Sequence, residues 1–153
     1  MTAAATRVES RPLRSCLLVV TGARVEPELL ETAIARAHTE HDRLHVVIPA
    51  VLPPTLPISA MPAHLAGRLD ALEHVAVEAL CRLGARGRVE IVTGRDVRSI
   101  MLAAAGRVDR VVLAGSAGWS LRRAARGIAP VTVIRDRTSP RRPHPPRIPV
   151  TGR

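Results

Sequence analysis

Apolar residues along this chain follow two rhythms in turn: short continuous runs closed by glycine or polar residues, and longer stretches whose apolar positions recur every three or four residues. Cys16 to Val20 is apolar throughout, the pattern of a strand buried on both faces, and Thr21-Gly22 closes it with a turn. Pro27 opens the next stretch at a helix start, where a missing N–H leaves nothing unpaired. Behind it Leu29, Leu30, Ala33, Ile34 and Ala37 form one apolar face. Leu44 to Ile48 is a second run, and the Pro-rich segment Pro49 to Pro62 reads as a long connection after a parallel strand. From Ala63, the residues Leu65, Leu69, Leu72, Val75 or Ala76, Leu80 and Leu83 repeat at helical spacing, and Gly84 and Gly87 punctuate the end. Val89 to Val92 is a third strand, closed by Thr93-Gly94. Asp96 is an N-cap acceptor for a helix with the face Val97, Ile100, Met101 and Ala104, ended by Gly106. Val111 to Leu113, a helix near Ser120 to Arg126, and Val131 to Ile134 complete the alternation.

Five strands separated by four helices predict a single α/β domain with a parallel sheet, helices on both faces and right-handed crossovers. If the first three strands wind outward and the fourth returns beside the first, the order is 3-2-1-4-5. The switch-point crevice then lies between strands one and four at their carboxyl ends, between Thr21-Gly22 and Gly115 to Gly118. The turn Gly115-Ser-Ala-Gly118 opens into a helix, so its backbone N–H groups can face an anion. Arg122, Arg123 and Arg126 follow closely, as phosphate partners or as a solvated helix face. Trp119 either lies exposed at the crevice or folds over it as a plug.

These residues resemble a known family, the universal stress proteins, over residues 15 to 136. VEIVTGRDVRSIMLAAAGRVDRVVLAGSAG looks like that family's strand, turn, helix and strand ending in Gly-x-x-Gly, LLVVTGA like its first strand, and RLHVVIPAVLPP like its second. The resemblance implies a Rossmann-like fold of the adenine nucleotide alpha hydrolase-like kind, a homodimer formed through the last strand, and either an ATP-binding or a non-binding branch. The ATP-binding branch uses an Asp at the end of strand one, a Val main chain in strand two, and a Gly-x2-Gly-x9-Gly-Ser/Thr loop. Here the Asp position is Thr21, and the Val is Val46 or a residue a few places later. Gly115 and Gly118 match the first two glycines. The third element departs: eight residues separate Gly118 from Gly127, Ile128 stands in place of Ser or Thr, and Pro130 follows. The candidate nucleotide residues are therefore Thr21, Gly22, Val46, Gly115, Ser116 and Gly118, in a site of which some phosphate donors are missing.

Composition narrows the remaining classes. A formal charge of +10 suggests a nucleic-acid partner, but residues 1 to 14 contribute +2 and residues 137 to 153 contribute +5, leaving about +3 over 15 to 136. All 23 basic residues are Arg, which reads as a composition bias of the source. Nucleic acid is thus expected to bind only non-specifically, through the Arg-rich tail. Trp119 is the sole aromatic residue, so the core must be aliphatic and base stacking has almost no platform. Cys16 and Cys81 lack any metal or redox spacing and read as two buried, reduced thiols. His38 and His41 fall in a last helical turn and His45 on the next strand, so they are not read as a metal site. No G-x-S-x-G elbow accompanies Ser116 or Ser120. With no signal h-region and no run of membrane-spanning length, the chain is expected to be cytoplasmic.

The reading is a flexible N-terminal segment (1–14), a universal-stress-protein-like domain (15–136) and a disordered basic, Pro-rich tail (137–153). It is expected to have no catalytic residues, no metal and no required cofactor. A non-enzymatic regulatory or stress-response role through dimerisation and a protein partner is expected, with ATP binding lost or weakened. The alternative is an ATP- or nucleotide-binding protein using the turn from Gly115 to Gly118, with slow or no hydrolysis.

Overall fold

A computed structural model describes residues 14–21 and 25–135. Nine elements alternate: β1 (Ser15–Thr21), α1 (Pro27–Glu40), β2 (Arg43–Val51), α2 (Ala63–Leu83), β3 (Arg86–Gly94), α3 (Val97–Ala104), β4 (Arg110–Gly115), α4 (Trp119–Arg126) and β5 (Val131–Ile134). All five strands are parallel, in the order β3-β2-β1-β4-β5 expected from the alternation.

β1 is the centre of the molecule because it offers no polar side chain between Cys16 and Val20. Its successive residues feed two separate cores. Cys16, Leu18 and Val20 pack with α1 and α2, whereas Leu17 and Val19 pack with α3 and α4. Leu17, Leu18 and Val19 are fully buried, each contributing about 1.5–3 kcal/mol of apolar transfer free energy. α1 and α2 meet this sheet through Leu30, Ala33, Ile34 and Ala37, and through Leu69, Leu72, Ala76, Ala79 and Leu80. Most of these lie on the faces the helical periodicity marks. The core is aliphatic, its largest buried side chains being Leu, Ile, Met and Val, and Trp119 is 64% exposed.

Four strands are longer than the hydrophobic pattern indicates, β1 and β4 by two and three residues and β2 and β3 by more. β2 continues through Pro49 and Ala50 to Val51, so the connection begins only at Leu52. Pro49 is tolerated because the ladder to β1 ends at Val19 and Val47, beyond which β2 pairs with β3 alone. Gly87, read from sequence as a stop, lies inside β3. A Cβ there would collide with the Leu44 carbonyl, so glycine is what allows β3 to pair closely with β2 at this register. The Pro-rich connection is held at the outer side of the sheet: Arg95 Nη1 donates to the carbonyls of Pro53 and Leu56, and the Leu52 N–H donates to Gly94 O at 2.9 Å.

α3 begins as expected at Asp96, whose Oδ1 accepts from the Ser99 N–H at 2.7 Å while its Oδ2 accepts from Ser99 Oγ at 2.9 Å. These bonds, the backbone one foremost, hold the Asp96 carboxyl below its ordinary range. The expected terminal segments lie outside the described residues except for Arg14. That residue is tied in rather than free: its N–H donates to Asp42 Oδ2 at 3.0 Å. No helix among the described residues is long and apolar enough to cross a membrane.

The two cysteines differ in a measurable way. Cys16 is 1% exposed, and burial pushes its thiol from an ordinary 9.0 to about 12, whereas Cys81, expected to be buried, is exposed because it lies off the apolar face of α2. At pH 8, a thiol reagent is expected to modify Cys81 alone in the native protein and both residues after denaturation. Because the folded-state value is raised, the unfolded chain loses its Cys16 proton first, so this group's contribution to stability is complete below pH 9.0 and falls as pH rises towards about 12. Rapid native labelling of Cys16 would show that β1 is not sealed.

Candidate functional site

The switch point is where β1 and β4 end side by side, with Thr21 in register with Gly115. Thr21 is 1% exposed, and its Oγ1 donates to the Ala114 carbonyl at 3.2 Å, closing the two strands against each other. Gly115 has φ +120°, a region that favours glycine, and a Cβ on it would strike the Thr21 carbonyl. Gly115 therefore turns the chain sharply out of the sheet while lying flat against Thr21. Ala117 tucks into the α3/α4 core, and Ser116 and Gly118 stay exposed.

Gly118 is the N-cap of α4, with φ −70° and ψ 168° and no side-chain cap. Open space surrounds the position of its absent Cβ, so the first turn of α4 faces outward from the rim. Trp119 does not fold over the crevice; it is exposed, with the Arg123 guanidinium carbon 5.1 Å from its ring centroid, a cation–π contact. Arg126 is exposed, and Arg122 is half-buried with its Nε lacking a hydrogen-bond partner among the described residues.

The candidate residues thus divide. Thr21, Gly115, Ser116 and Gly118 come together at the rim. Gly22 lies outside the described residues. Val46 does not reach the rim: it is fully buried, pairs with Leu18 and Val89, and stands three residues, about 10 Å, before the level of Thr21. The residues of β2 near the rim are Pro49 to Val51, so it is the alternative of a later position that agrees with the register.

The decisive geometry, which a glycine-spacing motif does not reveal, is at the other end of α4. The N–H groups of Gly127, Ile128 and Ala129 donate to Arg123 O at 3.2 Å, Ala125 O at 3.0 Å and Ala125 O at 3.2 Å. Gly127 is the C-cap of α4, with φ −67°, and Ala129 packs into the core before Pro130. One helix fills the whole interval from Gly118 to β5, and its closing turn consumes the three N–H groups that follow it.

The histidines are dispersed. His41 Nδ1 donates to Ala37 O at 3.0 Å as the chain leaves α1, whereas His45 Nε2 contacts Glu90 Oε2 on β3 at 3.0 Å. His38 Nδ1 is buried without a hydrogen-bond partner among the described residues.

Sheet order, crossovers and a glycine turn at the switch point define a doubly wound α/β protein. More particularly, the fold is that of the universal stress proteins. A protein of that family from Burkholderia pseudomallei superimposes with a TM-score of 0.59 at 21% identity, over 80% of this chain and 96% of that one. A universal stress protein from Archaeoglobus fulgidus gives 0.55 at 16% identity, over 80% of this chain and 94% of that one. The universal stress protein from the same organism in complex with dAMP gives 0.52 at 17% identity, over 80% and 99%. By sequence, no family model and no curated protein matches the chain.

The two glycines of the turn should respond oppositely to the same substitution. Gly115→Ala is expected to cost at least about 2 kcal/mol in denaturant unfolding, through the strained φ and the clash with Thr21. Gly118→Ala should stay within about 0.5 kcal/mol of the parent, having ordinary dihedrals and open space. Equal effects would contradict the closure described at the rim.

Proposed function

We propose that this chain is a non-enzymatic regulatory protein of universal-stress-protein type, acting through self-association and protein contacts, with its triphosphate site lost or weakened. The observation that carries this reading is the bonding of the Gly127, Ile128 and Ala129 N–H groups within α4. A triphosphate needs several charge-assisted donors, each contributing about 1.5–3 kcal/mol, and losing two of them moves a micromolar site to about millimolar or weaker. Thr21 adds to the deficit: it is a neutral residue whose hydroxyl is already bonded to Ala114 O inside the sheet. Self-association is supported by β5, an edge strand of four residues, Val131–Ile134, paired on one side to β4 among the described residues.

A second reading keeps a nucleotide in the crevice. It is favoured by the uncapped, open N-terminus of α4 at Gly118 and by the dAMP complex of the Archaeoglobus fulgidus protein. The two readings separate by thermal unfolding in millimolar Mg-ATP and dAMP, comparing the parent with Gly118→Trp, which places a large side chain at the N-terminus of α4 without backbone strain. The expected result is that Gly118→Trp removes no stabilisation by Mg-ATP. A clear rise in Tm that this substitution abolishes would overturn the proposal, and the same result with dAMP alone would assign the crevice to monophosphates. Sedimentation should give twice the chain mass, and a monomer at micromolar concentration would contradict the self-association.

A further inference from the structure

The largest departure from an evenly covered sheet lies at the opposite end from the crevice. α3 has eight residues and spans about 12 Å, whereas the nine residues of β3 span about 30 Å. α3 starts at the carboxyl end of β3 and covers the sheet from there, so the amino-terminal part of that face lies beyond its last turn. Side-chain alternation decides what is left uncovered. Val47 belongs to the α3/α4 core and Val92 packs against it, so Arg43 and His45 on β2, and Arg86, Arg88 and Glu90 on β3, share the same face. Below the end of α3 they border an open cavity of about 510 Å³, lined by Arg43, His45, Arg86, Arg88 and Arg107 among others.

This arrangement gathers positive charge on one exposed part of the surface. Arg43 stands directly in register with Arg86, and His45 with Arg88, on neighbouring strands where like charges oppose pairing. None of the four arginines forms an ion pair among the described residues. The carboxylate on this face, Glu90, is in contact with His45 Nε2 at 3.0 Å. Two further acids at this end accept backbone N–H groups: Asp109 Oδ2 from Ser15 at 2.8 Å, and Asp42 Oδ2 from Arg14 at 3.0 Å. An anion placed among the four arginine side chains would offset their mutual repulsion.

We propose that this cavity binds a small molecule carrying two or more phosphate groups, held by Arg43, Arg86, Arg88 and Arg107. Guanidinium forks match phosphate oxygens in pairs, and the cavity's size is that of a small-molecule site rather than of a groove for a long polymer. No Phe, Tyr or Trp among the described residues lines it, so the phosphates are the main feature recognised. The site is separate from the switch-point crevice, since its residues stand at the amino ends of β1, β2 and β3.

Calorimetric titration of the full chain with inorganic pyrophosphate and tripolyphosphate tests this. The expected result is saturable binding, tighter for tripolyphosphate, weakened about tenfold by each of Arg43→Gln, Arg86→Gln and Arg88→Gln, and unchanged by Arg68→Gln on α2. Because these side chains are exposed and mutually repelling, each substitution should leave the Tm of the free protein equal or higher, which separates loss of the site from loss of the fold. Three results would each overturn the proposal: no binding of either probe, binding indifferent to the cavity substitutions but lost in Arg141→Gln/Arg142→Gln, or binding lost in Gly118→Trp alone.

Discussion

The closure of β1 against β4 constrains everything else in this molecule. From Cys16 to Val20 β1 is apolar on both faces and buried, so it must lie between other strands, and the chain on either side must wind outward from it. At its carboxyl end Thr21 meets Gly115 through a side-chain hydrogen bond and a backbone approach that admits no Cβ. This contact fixes the level at which the chain leaves β4, and hence where Gly118 and the first turn of α4 stand. The crevice rim is a consequence of packing β1.

The same packing limits what the rim can hold. α4 has eight residues between Gly118 and Gly127, and Ala125 and Ala129 must both reach the core. The chain meets that demand by ending α4 in a tight turn, in which the Gly127, Ile128 and Ala129 N–H groups bond backward to α4 carbonyls. Donors that point into a helix end are not available to an anion. The rim keeps its strand ends and glycines, while the stretch after α4 serves the core.

Much of this was legible in the sequence, for physical reasons. Continuous apolar runs identify buried strands, and the Asp96 and Gly84 helix ends obey local chemistry. Strand lengths were less legible because Pro49 and Gly87 are read as breakers. Pro49 is harmless where β2 has parted from β1, and Gly87 is required where β3 meets the Leu44 carbonyl, and both facts are tertiary. The sequence left the β2 position open between Val46 and a later residue because a uniform apolar run has no internal mark of register, and Val46 stands away from the rim. The arginine cavity was hidden for another reason: Arg43, Arg86, Arg88 and Arg107 are scattered among many arginines, and only the register of β2 on β3 and the shortness of α3 bring them together.

Amide resonances of the α4–β5 junction give the sharpest check on how the crevice is used. Hydrogen exchange at Gly127, Ile128 and Ala129 should be slow in the free protein, and their resonances should neither shift nor gain protection when Mg-ATP is added to millimolar concentration. Fast exchange that becomes protected, together with shifts at these three amides on adding Mg-ATP, would contradict the assignment of their N–H groups to α4 and restore a triphosphate to the switch point.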